Sequence, residues 1–151
     1  MKNLGHLMLD LETMGKRSGC AIVSIGAVEF DIVTGETGRE FYERIDLQSC
    51  LDVGLFVQAS TLYWWLQQSD AARLELCKEN ISIQEALVRY RSFTTYLGDY
   101  QIWGNSANFD IGILEAAVFA CGYTVVPWYF RNERDVRTLV SFAPQVKENH
   151  P

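Results

Sequence analysis

The sequence predicts an α/β domain: a mixed five-stranded sheet with helices packed on it. Three observations carry the prediction. Apolar residues alternate with period two between residues 6 and 47. From residue 60 to residue 97 they recur instead at three- and four-residue steps. Thereafter short strand-like runs alternate with helical ones. A meander of three strands followed by alternating helices and strands is the order expected of a mixed sheet.

Taken in order, residues 6–12 form an apolar run ending in Asp10-Leu11-Glu12, which suits a buried strand reaching the sheet edge. Residues 13–19 carry two glycines and two basic residues, a loop signature. Residues 21–33 resume as a second strand, with Val23, Ile25 and Ala27 alternating. Thr34-Gly35-Glu36-Thr37-Gly38 is a hairpin turn, and residues 39–47 follow as an antiparallel third strand. Two short helices are predicted within residues 60–78, with Ser60 as cap and Leu62, Trp65, Leu66, Ala72 and Leu76 at helical spacing. Ser82 caps a long helix that ends near Gly98, with Glu85 at the capping-box position. Residues 101–104 are a fourth strand, residues 110–120 a helix ending at Gly122, and residues 124–128 a fifth strand whose Pro127 implies an edge or an end.

The 151 residues fit one domain spanning 1–151, and a hydrophobic content of 48% with 21% charged residues excludes a disordered chain. No stretch approaches the roughly 20 apolar residues of a membrane helix, and Met1 opens no signal segment, so no membrane partner and a cytoplasmic location are expected. Cys20, Cys50, Cys77 and Cys121 form no C-x-x-C pair and read as small buried hydrophobes. The formal net charge of −6 argues against nucleic-acid binding through a broad basic surface. It leaves open a site where carboxylates are gathered and neutralised by divalent cations.

Such a site has candidates. Strand alternation puts Asp10 and Glu12 on one face, opposite Leu9 and Leu11. Adjacent carboxylates repel unless a cation joins them, and hard oxygen ligands suit Mg²⁺ or Mn²⁺. The plainer alternative is a pair of solvated acids at a strand end. Asp110 adds a third carboxylate at a helix start, where it also suits the helix dipole.

Leu9-Asp10-Leu11-Glu12-Thr13 resembles the D-x-E-T first motif of the DEDD exonucleases, and Gly104-Asn105-Ser106-Ala107-Asn108-Phe109-Asp110 resembles their second. Asp135-Val136-Arg137-Thr138-Leu139 is similar to the D-T-L-like segment that follows the last strand in that superfamily. Thr61-Leu62-Tyr63-Trp64-Trp65-Leu66-Gln67-Gln68, with Ala72-Arg73, resembles a phage and bacterial branch of the DEDDh type with a paired-tryptophan helix. The similarity covers nearly the whole chain. It implies a ribonuclease-H-like fold and 3′–5′ exonuclease activity releasing nucleoside monophosphates. In that family four acids hold two divalent metals, and a histidine five residues before the last acid is the general base. Carried over, Asp10, Glu12 and Asp110 are metal ligands and catalytic residues.

The resemblance is incomplete, because no His-x-x-x-x-Asp follows Leu139 and the chain ends one residue past His150. Asp135 matches a segment in which the family's acid is not a ligand. The expectation is a domain truncated at its C-terminus, with His150 as base only if further residues supply the aspartate. The alternative is a shortened, catalytically incomplete nucleic-acid-binding or assembly module of the same fold. An unrelated metal-dependent phosphohydrolase ranks last, since only two histidines are present.

Around these acids, Thr13 and Met14 are placed to contact a terminal nucleotide, with core filling as the other reading of Met14. Trp64 and Trp65 offer a stacking surface, but they point about 100° apart on a helix, so at most one faces the site, and Trp65 is the candidate. Asn105, Ser106 and Asn108 are candidates to orient ligands or phosphate, or else caps. Lys16 and Arg17 are candidate phosphate contacts, and His6 is given no role. The partner expected is single-stranded nucleic acid or a 3′ end, with a homodimer suggested by the aromatic-rich helices. DNA and RNA are not distinguished, because no residue announces a contact to the 2′-OH.

Overall fold

The computed structural model describes residues 3–145. Its five strands are β1 (His6–Thr13), β2 (Ile22–Phe30), β3 (Thr37–Arg44), β4 (Gln101–Gly104) and β5 (Glu133–Asp135), in the order β3-β2-β1-β4-β5. β2 is antiparallel to both β1 and β3, whereas β4 is parallel to β1 and β5 to β4. This is the mixed α/β sheet expected of a ribonuclease-H-like domain.

The meander follows from local chemistry. Asp31 ends β2 early, because its carboxylate accepts hydrogen bonds from the Val33 and Thr34 amides at 2.8 and 3.0 Å. Gly35 completes the turn at φ 74°, in the left-handed region that glycine tolerates. The second strand therefore stops at Phe30 and not at residue 33. At the far end of β3, Ile45 and Asp46 pair with Val23 and Ile81, and the chain then enters a six-residue helix, α1 (Leu47–Asp52). That helix is too short to announce itself by periodicity, so the expected third strand overran it.

The two short helices are α2 (Ala59–Leu66) and α3 (Asp70–Glu75). Gln58, not Ser60, occupies the cap position of α2, since the Gln58 amide is pinned to the Met14 carbonyl at 2.8 Å and its own carbonyl starts the helix. α4 (Ile83–Thr95) begins as expected, with the Ser82 hydroxyl accepting from the Glu85 amide at 3.1 Å. α5 (Asp110–Ala120) ends before Gly122 at φ 92°.

The largest departure concerns the fifth strand. Residues 124–128 are not a strand: Trp128 is buried, its indole N–H donating to Glu133 at 2.9 Å, and the Pro127 carbonyl accepts from the Tyr100 hydroxyl at 2.8 Å. Val126 and Trp128 of this loop cover the core while Val125 is exposed, and β5 is the charged tripeptide Glu133-Arg134-Asp135 paired with Ile102, Trp103 and Gly104. Three charged residues at a sheet edge carry no hydrophobic alternation to betray a strand. A short helix, α6 (Val136–Ser141), follows directly.

Leu7, Leu9 and Leu11 of β1 and Ile25 and Ala27 of β2 form the core face, against which α5 packs on β1 and β4, and α4 on β3 and α1. The opposite face carries His6, Met8, Asp10 and Glu12. There the His6 ring lies 5.4 Å from that of Phe30, and its Nδ1 accepts the Trp103 indole N–H at 3.0 Å. Cys20 and Cys50 are buried as expected, but Cys121 is half-buried and Cys77 exposed. Among the described residues no helix is long and apolar enough to cross a membrane.

Candidate active site

β1 delivers two acids to its C-terminal end. Asp10 and Glu12 are both exposed, while Leu9 and Leu11 between and beside them are buried. The β1–β2 register shifts between Glu12 and Thr13, so this strand end is irregular where the acids emerge. Asp10 lines the open sheet face with Met8, Gly26, Val28 and Tyr42. Glu12 lines a cleft of about 510 Å³ shared with Thr13, Lys16, Thr61, Trp64 and Phe109.

Asp110 joins them from the other side of the sequence. It stands at the first position of α5 and is 3% exposed. Its carboxylate does not cap its own helix. One oxygen accepts from the Leu11 amide at 3.3 Å and the other from the Asn105 amide at 3.2 Å, so the side chain bridges β1 and the β4–α5 loop. Leu11 lies between Asp10 and Glu12, so this bond brings the third carboxylate to the pair. Gly104 makes the approach possible, because a Cβ there would lie 3.0 Å from the Ser106 carbonyl and 3.3 Å from the Asp110 Cβ.

The electrostatics reflect this gathering. Partial loss of water at the cleft raises the Glu12 pKa although its side chain is exposed, and the charges of Asp10 and Asp110 raise it further. Burial also raises the Asp110 pKa; the Leu11 amide opposes that rise, and the Asp10 charge adds to it. Among the described residues no ion pair reaches any of the three acids. Hard oxygen donors that raise one another's cost of ionisation fit a divalent cation in donor type and in charge. Among the described residues, however, no three His, Cys, Asp or Glu side chains form a ready-made cage, so closure on an ion would require the exposed Asp10 and Glu12 side chains to turn.

The surrounding residues fall out differently from the sequence expectation. Met14 is buried in the core cluster, and its carbonyl anchors Gln58, so it packs where a base-contacting wedge was expected. Trp65 is 7% exposed and its indole N–H donates to the Thr13 carbonyl at 3.0 Å. Trp64 is 51% exposed in the same cleft, its ring 5.2 Å from that of Trp65 in an edge-on arrangement. Trp65 also lines the cleft, but it is mostly buried and braces the strand end that holds Glu12, so Trp64 is the more exposed of the two rings. Which of two adjacent tryptophans turns inward depends on how α2 sits on Thr13, a contact invisible in the sequence.

Thr13 lines the cleft with its hydroxyl donating to the Gly15 carbonyl at 2.7 Å. Asn105, Ser106 and Asn108 do not line that cleft: Asn105 and Ser106 hold Asp110 through their backbones, and Asn108 lines a separate cavity with Ser18, Gly112 and Glu115. Lys16 lines the cleft, whereas the Arg17 guanidinium lies 4.7 Å over the Phe56 ring. His6 is four residues before Asp10 on β1, roughly 13 Å along the strand. His150, the expected conditional base, lies outside the described residues.

Asp135 has a structural task that spacing did not reveal. Its carboxylate accepts from the Ala107 amide and from the Thr138 amide, each at 2.9 Å, tying β5, α6 and the loop before Asp110 together. The Ala107 bond, then the Thr138 bond, lowers its pKa. A lowered folded pKa gives a contribution that is present above the unfolded value near 3.9 and fades as pH falls through the folded one. Asp135→Ala is expected to destabilise the domain by about 1 kcal/mol at pH 7 in urea unfolding. The difference from the parent should shrink below about pH 4, as the parent carboxylate protonates. A difference that persists undiminished at pH 3 would show that the carboxylate charge is not its source.

Residues 5–151 match the model of the family described as 3′-5′ exoribonuclease Rv2179c-like domain. An exodeoxyribonuclease of Enterobacteria phage T4 is 26% identical over 171 residues, covering 93% of this chain and 73% of that protein. Among solved structures, E. coli exonuclease I in complex with a dT13 oligonucleotide aligns over 92% of this chain and 29% of its own, with a TM-score of 0.66 at 17% identity. Cell-death related nuclease 4 aligns over 96% of this chain and 48% of its own, with a TM-score of 0.60 at 11% identity. The chain thus spans less than half the length of either solved chain, and at those identities the likeness is one of fold. With nearly its full length inside the family's match, the chain belongs to the Rv2179c-like 3′-5′ exoribonuclease domain family, a branch of the 3′–5′ exonuclease superfamily.

Proposed function

We propose that this chain is the catalytic domain of a metal-dependent exonuclease that removes nucleoside monophosphates from the 3′ end of single-stranded nucleic acid. The observation that carries the reading is the Asp110 carboxylate, drawn in by the Leu11 amide to stand with Asp10 and Glu12. A buried acid that raises the cost of folding has a reason to persist if its charge has a use. Asp10, Glu12 and Asp110 would hold Mg²⁺ or Mn²⁺, two ions in the intact site. Bound there, such ions supply an activated water and neutralise charge on the departing 3′ oxygen.

The chain's own residues do the positioning. Asp110, clamped by two backbone amides, is the fixed ligand, and Asp10 and Glu12 are the adjustable ones. Trp64 offers a face on which the terminal base stacks, a contact of roughly 1–3 kcal/mol. Lys16, at the same cleft, supplies positive charge for the phosphate backbone on an otherwise acidic protein. The family's description favours RNA as the substrate, while the phage relative is named for DNA.

One observation favours the second reading, a binding or assembly module: the lack of a closed three-ligand cage among the described residues. Release of mononucleotides from 3′-labelled and 5′-labelled oligonucleotides with Mg²⁺ or Mn²⁺ separates the two. The exonuclease reading expects label lost first from the 3′ end, dependent on metal, and a fall of at least about 100-fold in Asp10→Ala, beyond the 10–100-fold of outer-shell changes. Oligonucleotide binding without metal-dependent hydrolysis supports the module instead.

A further inference from the structure

We propose that Thr61 is the residue of the cleft that reads the sugar, its hydroxyl hydrogen-bonding the ribose 2′-OH of the 3′-terminal nucleotide and so favouring RNA over DNA. This rests on the exonuclease reading above. Thr61 lies on the cleft lining beside Glu12, Thr13 and Trp64 and is 8% exposed. Its Oγ1 is itself buried, turned away from solvent, and has no hydrogen-bond partner among the described residues. A buried hydroxyl left unpaired costs roughly 1–3 kcal/mol, so such groups are rare and call for an explanation.

The carbonyl three residues back, one of the usual partners of a helical threonine, is already taken. Thr61 stands in the first turn of α2, where its hydroxyl would bond back to the Gln58 carbonyl. That carbonyl accepts the Thr61 and Leu62 amides, each at 3.1 Å, which fills its two lone pairs. The neighbouring donors are also committed: the Thr13 hydroxyl donates to Gly15 and the Trp65 indole to Thr13, so neither proton reaches Thr61. Threonine in a helix populates two χ1 rotamers, so the hydroxyl can turn toward the cleft without moving the backbone.

Position selects the sugar. On α2, Trp64 follows Thr61 by three residues and Trp65 by four, so both are its neighbours on the helix face. Trp64 is the exposed stacking ring, and Trp65 is bonded to the residue after Glu12. A nucleotide with its base on Trp64 and its phosphate at the acids brings its ribose to the turn that bears Thr61. A hydroxyl that both donates and accepts complements another such hydroxyl, and the 2′-OH is what separates RNA from DNA.

The test is titration of the chain with adenosine 5′-monophosphate and 2′-deoxyadenosine 5′-monophosphate in the presence of Mg²⁺ or Mn²⁺, read by tryptophan fluorescence and by calorimetry. It is paired with hydrolysis of RNA and DNA oligonucleotides of one sequence. The parent is expected to bind the ribonucleotide about tenfold more tightly, the value of one hydrogen bond to a buried group. Thr61→Val, which keeps the shape, should weaken ribonucleotide binding to the deoxynucleotide level and leave the latter unchanged. Its thermal stability should hold or rise, because an unpaired hydroxyl is removed. Thr61→Ser should restore the preference. A parent that binds neither monophosphate, or both equally, overturns the inference, as does a Thr61→Val protein with the parent's preference. If only an ordered water satisfies the hydroxyl, Thr61→Val will shift stability alone, which also overturns it. Should no oligonucleotide be degraded while the monophosphate preference holds and vanishes in Thr61→Val, the exonuclease reading falls and the sugar-reading site stands.

Discussion

Asp110→Asn is expected to lower metal-dependent mononucleotide release by more than about 100-fold, beyond the loss typical of an outer-shell partner, while the unfolding free energy stays within about 1–2 kcal/mol of the parent. The two readouts diverge because the side chain has two jobs. As an anchor it accepts the Leu11 and Asn105 amides. An asparagine can accept one of them but turns an N–H toward the other, at a cost near that of a hydrogen bond. As a charge it is held in a buried place that raises its pKa, with the Asp10 charge adding to the rise. A raised carboxylate pKa disfavours the folded state at neutral pH, so removing the charge returns much of what the lost bond costs. Activity has no such compensation, since an amide is a poor ligand for a divalent cation beside two acids. Rates of mononucleotide release and urea unfolding on the same preparation check this. A variant keeping more than about a tenth of the parental rate would show that the Asp110 charge is not part of the reaction.

Arg39→Met is expected to destabilise the domain by about 2–3 kcal/mol, between the values for breaking an exposed and a fully buried ion pair, because Glu29 is buried while the Arg39 side chain stays 23% exposed. Glu29 is fully buried on β2, on the helix-covered face of the sheet, and the Arg39 guanidinium meets it at 2.9 Å. The guanidinium also lies 6.0 Å from the Phe93 ring centroid and 5.7 Å from that of Tyr96, beneath the end of α4. Methionine keeps the apolar packing of the arginine stem and removes the charge, leaving the Glu29 carboxylate unpaired. Glu29→Leu combined with Arg39→Met should recover most of the loss, since a buried pair replaced by apolar groups is often neutral. Urea unfolding of the two proteins decides: a single variant within 1 kcal/mol of the parent, on the scale of an exposed pair, would mean that water reaches Glu29.

Much of the fold was legible because it is written locally. Period-two alternation marked β1 to β3, the Ser82 and Glu85 pair marked the start of α4, and Gly122 marked the end of α5. The common face of Asp10 and Glu12 needed only the pleat of one strand. Each of these signals is set by neighbours a few residues apart, so the chain declares it before it folds.

The rest depended on partners distant in sequence. β5 is a strand because Ile102 to Gly104 offer it an edge, not because Glu133-Arg134-Asp135 favours one, and Val126 and Trp128 serve instead as cover for the core. Met14 turns inward and Trp64 outward because α2 is pinned through Gln58 and Trp65 to the end of β1. Asp110 stands with the other acids through a bond to Leu11, 99 residues earlier. Thr61 carried no chemical signal of its own in the sequence, and its unpartnered hydroxyl emerges only where two amides already fill the Gln58 carbonyl. Sequence by itself determined which segments would be strands and helices where local period and caps speak, and which acids share a face. Tertiary structure decided which side chains meet, because hydrogen bonds and burial are settled by the whole chain's packing and not by spacing along it.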